Sequence, residues 1–189
     1  KQVSEKDLLY KGYKVVPHCP RCGTALSSHE VAQGYKLVKE NSVYMKFKVL
    51  DQEDTYILSW TTTPWTLPGN VALAVGEDID YVKVEHSGEK WILAQALLGE
   101  VFDGDMKIVE EMKGKDLIGT KYEPLFPGAI PKDTENYENG FQVYSADFVT
   151  TSDGTGVVHT AVLYGEDDYQ LGEAVGLPKF HTVGEDGKF

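Results

Sequence analysis

Residues 42–70 read SVYMKFKVLDQEDTYILSWTTTPWTLPGN, and the reading of this stretch decides the fold. Val43, Met45, Phe47 and Val49 alternate with Tyr44, Lys46 and Lys48, the period of a half-buried strand. A polar turn at 51–54 sends the chain back through 55–62, so the two segments form a hairpin. The returning strand then breaks open into Ser59-Trp60-Thr61-Thr62-Thr63-Pro64-Trp65-Thr66-Leu67-Pro68-Gly69-Asn70, ending on a Pro-Gly-Asn turn. Threonine hydroxyls both donate and accept, carry no charge, and sit on a β-branched carbon with few rotamers. A row of them at a strand end makes a rigid polar lining suited to a binding site. A pleated edge whose threonines merely suit the surface accounts for the run equally well.

Outward from this hairpin, 70–75 and 80–85 read as strands, Ser87-Gly88-Glu89-Lys90 turns the second into Trp91-Ile92-Leu93, and 94–102 reads as a short helix. Segments 107–112 and 142–149 alternate again. Many short strands with small helices between them predict a mostly β (α+β) domain built as a closed or nearly closed β-barrel. Residues 114–140, rich in Gly, Pro and Asn and carrying Tyr122, Leu125 and Phe126, read as a long ordered excursion over the surface. Ahead of the hairpin, Val3, Leu8 and Leu9 give a short helical pattern over 1–12 that leads into a strand at 13–16. The expected division is an opening segment, 1–36, and a barrel domain, 37–189.

A second polar concentration lies near the far end. Asp153-Gly154-Thr155-Gly156-Val157-Val158-His159-Thr160-Ala161 is followed by Tyr164-Gly165-Glu166-Asp167-Asp168-Tyr169. The three carboxylates open a helix predicted to run through Ala174, and a helix N-terminus favours acidic residues whatever their function. That accounts for one or two of the carboxylates and leaves His159 and the threonine run without an explanation.

Together, SWTTTPWTLPGN and GTGVVHTA followed by GEDDY resemble the two active-site segments of the editing domain (CP1) of isoleucyl-tRNA synthetase, the insertion that removes wrongly attached valine from its tRNA. The opening YKVVPHCPRCGTALSSHEVAQGYK is similar to the lead-in of that insertion, so the resemblance covers nearly the whole chain. Val162 departs from it, standing where the family commonly has proline after His-Thr-Ala. The resemblance implies post-transfer proofreading: hydrolysis of the ester of mischarged Val-tRNA(Ile), with no cofactor. Its partners would be the acceptor end of that tRNA and the rest of a parent synthetase.

Composition sets bounds on this. The 41% hydrophobic and 25% charged fractions are those of a globular domain. No apolar run approaches the ~20 residues that span a bilayer, and the charged start lacks a signal-peptide core, so the expectation is a cytoplasmic protein without a membrane partner. The net charge of −12 argues against a general nucleic-acid surface and predicts weak intrinsic affinity for tRNA. Segments of the kind that activate an amino acid with ATP, including a Gly-rich phosphate loop, are absent from these 189 residues. Cys19-Pro20-Arg21-Cys22-Gly23 has the spacing of a zinc-ribbon knuckle, but a tetrahedral site needs four ligands and the sequence has two cysteines. The preferred reading is a half-site, Cys19 and Cys22, completed by zinc and a second pair in a full-length enzyme. His18 and His29 as local ligands, and an unmetallated turn, remain open.

The residues support no familiar nucleophilic box and no helical zinc-hydrolase spacing. An aminoacyl ester is already activated toward water, and mostly needs positioning and donors for its oxyanion. The hydroxyls of Thr61, Thr62 and Thr63 are suited to that. By resemblance the catalytic set is Thr62, Thr63, His159 and Asp168, with Asp168 taking the free α-ammonium and His159 shaping the pocket. Trp60, Thr61, Thr66, Asn70, Ala161 and Tyr164 would then line the substrate site or cradle the terminal adenosine. The competing class is a noncatalytic zinc-ribbon and β-barrel module that binds tRNA or protein.

Overall fold

Alternation along 43–48 has a direct packing consequence: Met45 and Phe47 are 6% and 0% exposed, while Tyr44, Lys46 and Lys48 face solvent. A computed structural model describes the whole chain except residues 1, 2, 7, 11, 13, 20, 105, 185, 187 and 189. The chain divides into two units, 1–36 with 183–189, and 37–182.

In the first unit β1 (His18–Cys19) and β2 (Thr24–Ala25) pair antiparallel around the cysteine turn. Helix α1 (Ser28–Gln33) follows. Its start is a capping box: Ser27 Oγ accepts from the Glu30 N–H at 3.3 Å, and Glu30 Oε2 accepts from the Ser27 N–H at 2.8 Å. That exchange satisfies two backbone donors at the helix end, and Ser27-x-x-Glu30 is its sequence signature. Among the described residues of 1–12 the expected helical pattern forms one 3-10 turn, Ser4–Lys6. Residues 14–16 form no strand, and residue 13 lies outside the described residues.

The second unit contains β3 (Val43–Lys48), β4 (Thr55–Thr61), β5 (Ala72–Val75), β6 (Asp80–His86), β7 (Glu89–Ala94), β8 (Lys107–Lys113), β9 (Gln142–Ser145) and β10 (Val158–Thr160). Between them lie a 3-10 turn, Pro64–Gly69, a 3-10 turn, Gln95–Leu97, running into α2 (Leu98–Val101), then α3 (Gly114–Leu117) and a 3-10 turn, Tyr137–Asn139. Helix α4 (Glu166–Val175) follows β10. One sheet has the order β3-β4-β7-β6-β8, with β4 and β7 parallel and the other pairs antiparallel. The other is β10-β5-β9, antiparallel and then parallel.

The expected barrel is not what forms. Among the described residues the chain is mixed α/β, with three open sheets, two of them in the second unit, and small helices, and no sheet closes on itself. At β4 the ladder to β7 stops at Ile57, and the remaining edge, 58–61, is not paired with β10. Contact between β4 and the segment entering β10 is made instead by side chains. Ser59 Oγ donates to the Val157 carbonyl at 2.8 Å and Thr155 Oγ1 donates to the Leu58 carbonyl at 2.9 Å, beside an Ala94 N–H bond to the Thr155 carbonyl at 2.8 Å. On the far side, two isolated bridges, Val49 with Tyr122 and Lys121 with Gln142, link the sheets. Residues 114–140, read as a surface excursion, therefore also bury Leu117, Tyr122 and Ile130.

Between the sheets, Phe47, Ile57, Leu73, Tyr81, Ile92, Tyr122 and Val143 form the main core. Each such side chain contributes about 1.5–3 kcal/mol of transfer free energy. Tyr81 also donates its hydroxyl to the Gly156 carbonyl at 2.6 Å, and burial pushes its pKa up to about 12. The opposite face of the larger sheet packs Leu58, Val82, Val84 and Leu93 beneath Phe102, Leu98 and Val101.

Candidate active site

The threonine run begins inside β4 and leaves it through the 3-10 turn Pro64–Gly69. Proline at 64 fixes φ at the turn's first position, where no backbone donor is needed. Buried Leu67 holds the turn to the core, and the Asn70 N–H closes it on the Leu67 carbonyl at 3.0 Å. Within the run, Thr61 Oγ1 accepts from the Thr63 N–H at 3.1 Å and lies 3.2 Å from Thr63 Oγ1. Thr66 Oγ1 donates to the Thr63 carbonyl at 2.8 Å and lies 3.1 Å from His159 Nε2. The two segments singled out in the sequence thus meet through a threonine and a histidine 93 positions apart.

His159 sits in β10, 8% exposed, opposite Leu73. Burial lowers its pKa to about 4, so the ring is neutral at physiological pH, and its Nδ1 is buried without a partner. Two residues later the Ala161 backbone N–H faces Asp168, in the first turn of α4, closely enough to hold its pKa down. Burial raises the Asp168 carboxyl to about 6, Asp167 adds to the shift, and the Ala161 donor opposes it. A desolvated carboxylate is a stronger partner for a cation than an exposed one. Gly165 caps α4, and a Cβ there would fall 2.7 Å from Asp168 Oδ2, which leaves the carboxylate room to fold back over the helix start.

Trp60 and Thr62 face a cleft of about 220 Å³, shared with Phe148, Thr150, Asp153 and Gly154. Tyr164 lies over Gly69, where a Cβ would come within 2.9 Å of its ring, and its hydroxyl is 2.8 Å from Thr182 Oγ1. Asn70 turns inward: its amide donates to the Ala72 carbonyl at 2.9 Å and its oxygen accepts from Tyr122 at 2.8 Å. Val162, where the resembling family commonly has proline, is buried against Gly172 of α4 and packs with Val71 and Leu177. Trp65 is 54% exposed.

Thr61, Thr63, Thr66, His159, Ala161 and Asp168 are therefore joined by direct bonds or short backbone steps, and Trp60 and Thr62 line the neighbouring cleft. Cys19 and Cys22 belong to the other unit. There Cys22 is exposed, and hydrogen bonds from the Cys22 backbone and thiol lower the Cys19 pKa while that of Cys22 is raised. Among the described residues no group of three or more His, Cys, Asp or Glu could hold a metal ion, so the donors present do not themselves fit tetrahedral zinc. Sequence reasoning missed Phe148, Thr150 and Asp153 as cleft residues, and Ser59 and Thr155 as the bonds that join the segments. Thr155 between two glycines at positive φ, +74° and +70°, was the available signal.

No family model matches the chain. Over its whole length it is 56% identical to the isoleucine–tRNA ligase of Clostridium tetani and 57% identical to that of Clostridium acetobutylicum. Over 187 residues it is 49% identical to that of Bacillus thuringiensis. The chain spans 18% of the length of each of these relatives. Among solved structures it resembles the leucyl-tRNA synthetase domain GlLeuRS-CP1, with a TM-score of 0.58, 17% identity, and coverage of 71% of this chain and 60% of that one. It also resembles the editing domain of the Plasmodium knowlesi cytosolic leucyl-tRNA synthetase, with a TM-score of 0.55, 14% identity, and coverage of 75% and 66%. At such identities the structural likeness speaks to the fold, while the sequence identity carries the relationship. By sequence the chain matches a segment of the isoleucine–tRNA ligases, and by fold it resembles leucyl-tRNA synthetase editing domains.

Proposed function

We propose that this segment hydrolyses the ester of valyl-tRNA(Ile), acting on the acceptor end while other parts of a parent synthetase hold the tRNA body. The observation that carries the reading is the desolvated Asp168 carboxylate, one short backbone step from a neutral histidine bonded to the threonine run. Asp168 takes the α-ammonium of the aminoacyl group. Thr62 and Thr63 hydroxyls donate to the oxyanion as water adds to the ester carbonyl, and the departing ribose oxygen leaves with the proton that water loses. The cleft beside Trp60 and Phe148 has the stacking surface and size to receive the terminal adenosine.

Ser59, the serine that opens the run, is fully buried and donates to the Val157 carbonyl, which removes it as a nucleophile. With a formal charge of −12 the chain has little to offer the phosphates of the tRNA body, consistent with contact limited to the single-stranded end. Rejection of isoleucyl-tRNA(Ile) follows from rigid walls, because overpacking a side chain that cannot move aside costs about 1–3 kcal/mol. The test is deacylation of valyl- and isoleucyl-tRNA(Ile) by the chain at saturating enzyme, beside the full synthetase as reference. Selective loss of valine is expected. Binding without turnover of either ester would favour the noncatalytic module, and preference for threonyl-tRNA(Val) would move the assignment to an editing domain of the valyl-tRNA synthetase kind. The knuckle cysteines are proposed as half of a zinc site completed outside these residues.

A further inference from the structure

We infer that Thr66 is a positioning residue: its hydroxyl locks His159 into the Nε2–H tautomer and one ring orientation, so that the site presents an uncharged, immobile imidazole wall. The inference rests on the proposed editing reaction and assigns Thr66 a part in its specificity through His159, without contact to substrate.

The argument is a count of protons. Thr66 Oγ1 lies 2.8 Å from the Thr63 carbonyl and 3.1 Å from His159 Nε2, and the hydroxyl has one hydrogen. A carbonyl can only accept, so that hydrogen goes to Thr63, and the bond to the ring must be supplied by the ring. His159 then carries its proton on Nε2, and the buried Nδ1 holds the lone pair. Protonating Nδ1 as well would place an N–H where no acceptor stands, a cost of about 1–3 kcal/mol for a buried unsatisfied donor. Burial acts in the same direction on the ring's pKa. The hydroxyl itself is held by a turn that begins at Pro64, includes Pro68 and is fixed to the core by Leu67. A ring kept neutral does not repel the substrate's α-ammonium, which leaves that charge to Asp168. A ring kept still can refuse a longer side chain.

Thr66→Val keeps the shape and removes the hydroxyl, while Thr66→Ser restores it. In the 15N-labelled chain, long-range proton–nitrogen spectra of His159 should show the Nε2–H pattern in the native protein and in Thr66→Ser, and mixed tautomers in Thr66→Val. The preference for valyl- over isoleucyl-tRNA(Ile) should fall about tenfold or more in Thr66→Val, mainly by gain of isoleucyl hydrolysis, and return in Thr66→Ser. An Nδ1–H pattern in the native chain overturns the inference, as does Thr66→Val with unchanged tautomer and unchanged preference. If Thr66→Val does not fold, the native and Thr66→Ser spectra still decide. Native protein that hydrolyses neither ester sinks the proposed reaction, and the tautomer assignment is then judged on the spectra alone.

Discussion

The seam where β4 meets the segment entering β10 and the hairpin carrying Cys19 and Cys22 both gather chemically capable side chains at a turn, yet they differ in what surrounds them. In the seam, Ser59, Thr155 and His159 are all at most 8% exposed, and neighbours dictate which atom donates, which accepts and which stays neutral. In the hairpin, β1, β2 and α1 contain no buried residue, and each thiol is perturbed mainly by the other. Burial therefore fixes the chemistry of the first region in the folded chain. The second keeps two donors available for ligands it does not itself supply.

The comparison breaks most severely if Asp168 is dispensable. Truncating one partner of a desolvated charge pair costs about 2–5 kcal/mol, so Asp168→Ala should lower kcat/KM for valyl-tRNA(Ile) on the order of a hundredfold or more, with the fold retained. Near-normal turnover with a lowered melting temperature would reduce Asp168 to a helix-start residue. Next in size is Gly156, at φ +70° with its missing Cβ position overlapping Ala94. Alanine there combines left-handed strain with overpacking, about 2–5 kcal/mol, and urea unfolding should show the loss.

The pH dependence sharpens the comparison. His159 has a folded pKa near 4, below its ordinary 6.5, so its contribution to stability is present above pH 6.5 and is lost as pH falls through about 4. Linkage sets that contribution on the order of 3 kcal/mol. Asp168 has a folded pKa near 6, above its ordinary 3.8, so its contribution is present below pH 3.8 and is lost as pH rises through about 6. The two oppose each other between pH 4 and 6. Against the native chain, Asp168→Asn should make stability rise more steeply with pH across that window, and His159→Gln should make it rise less or fall. Identical slopes in all three proteins would contradict both assignments. The smallest effect belongs to the hairpin: Cys19→Ser should leave the urea-unfolding midpoint of the native chain essentially unchanged. The chain should hold zinc weakly, and stoichiometric, chelator-resistant zinc would show that local ligands complete the site.

Alternation made β3 legible, because a period of two with one apolar face has a single outcome once that face is buried, whereas β8, which alternates in the same way, buries none of its residues. The meeting of the threonine run with His159 was legible only through resemblance, since nothing local connects Thr66 with a histidine 93 residues away. The sheet arrangement was hidden for a related reason. Strand spacing is the same whether β4 pairs next with β7 or with β10, and the parallel choice depends on the crossover through β5 and β6. Asn70 reads as a polar turn residue in either case, and its inward turn follows from Tyr122, which comes from a stretch that reads as loop. The capping box at Ser27 was written plainly in the sequence and went unread.

The seam also has a bearing on time. Ser59 and its acceptor Val157 are 98 residues apart, and Thr155 and Leu58 are 97 apart, whereas β3 and β4 are joined by a tight hairpin. Contacts so distant along the chain close late, because loop entropy is lost before they contribute. During synthesis the hairpin can form while residues 157–160 are not yet made, and the donors of the threonine run then face water with no histidine opposite them. The proposed hydrolytic site is completed only when these distant segments join, so on that proposal a folding intermediate holding the larger sheet would be ordered and still unable to edit.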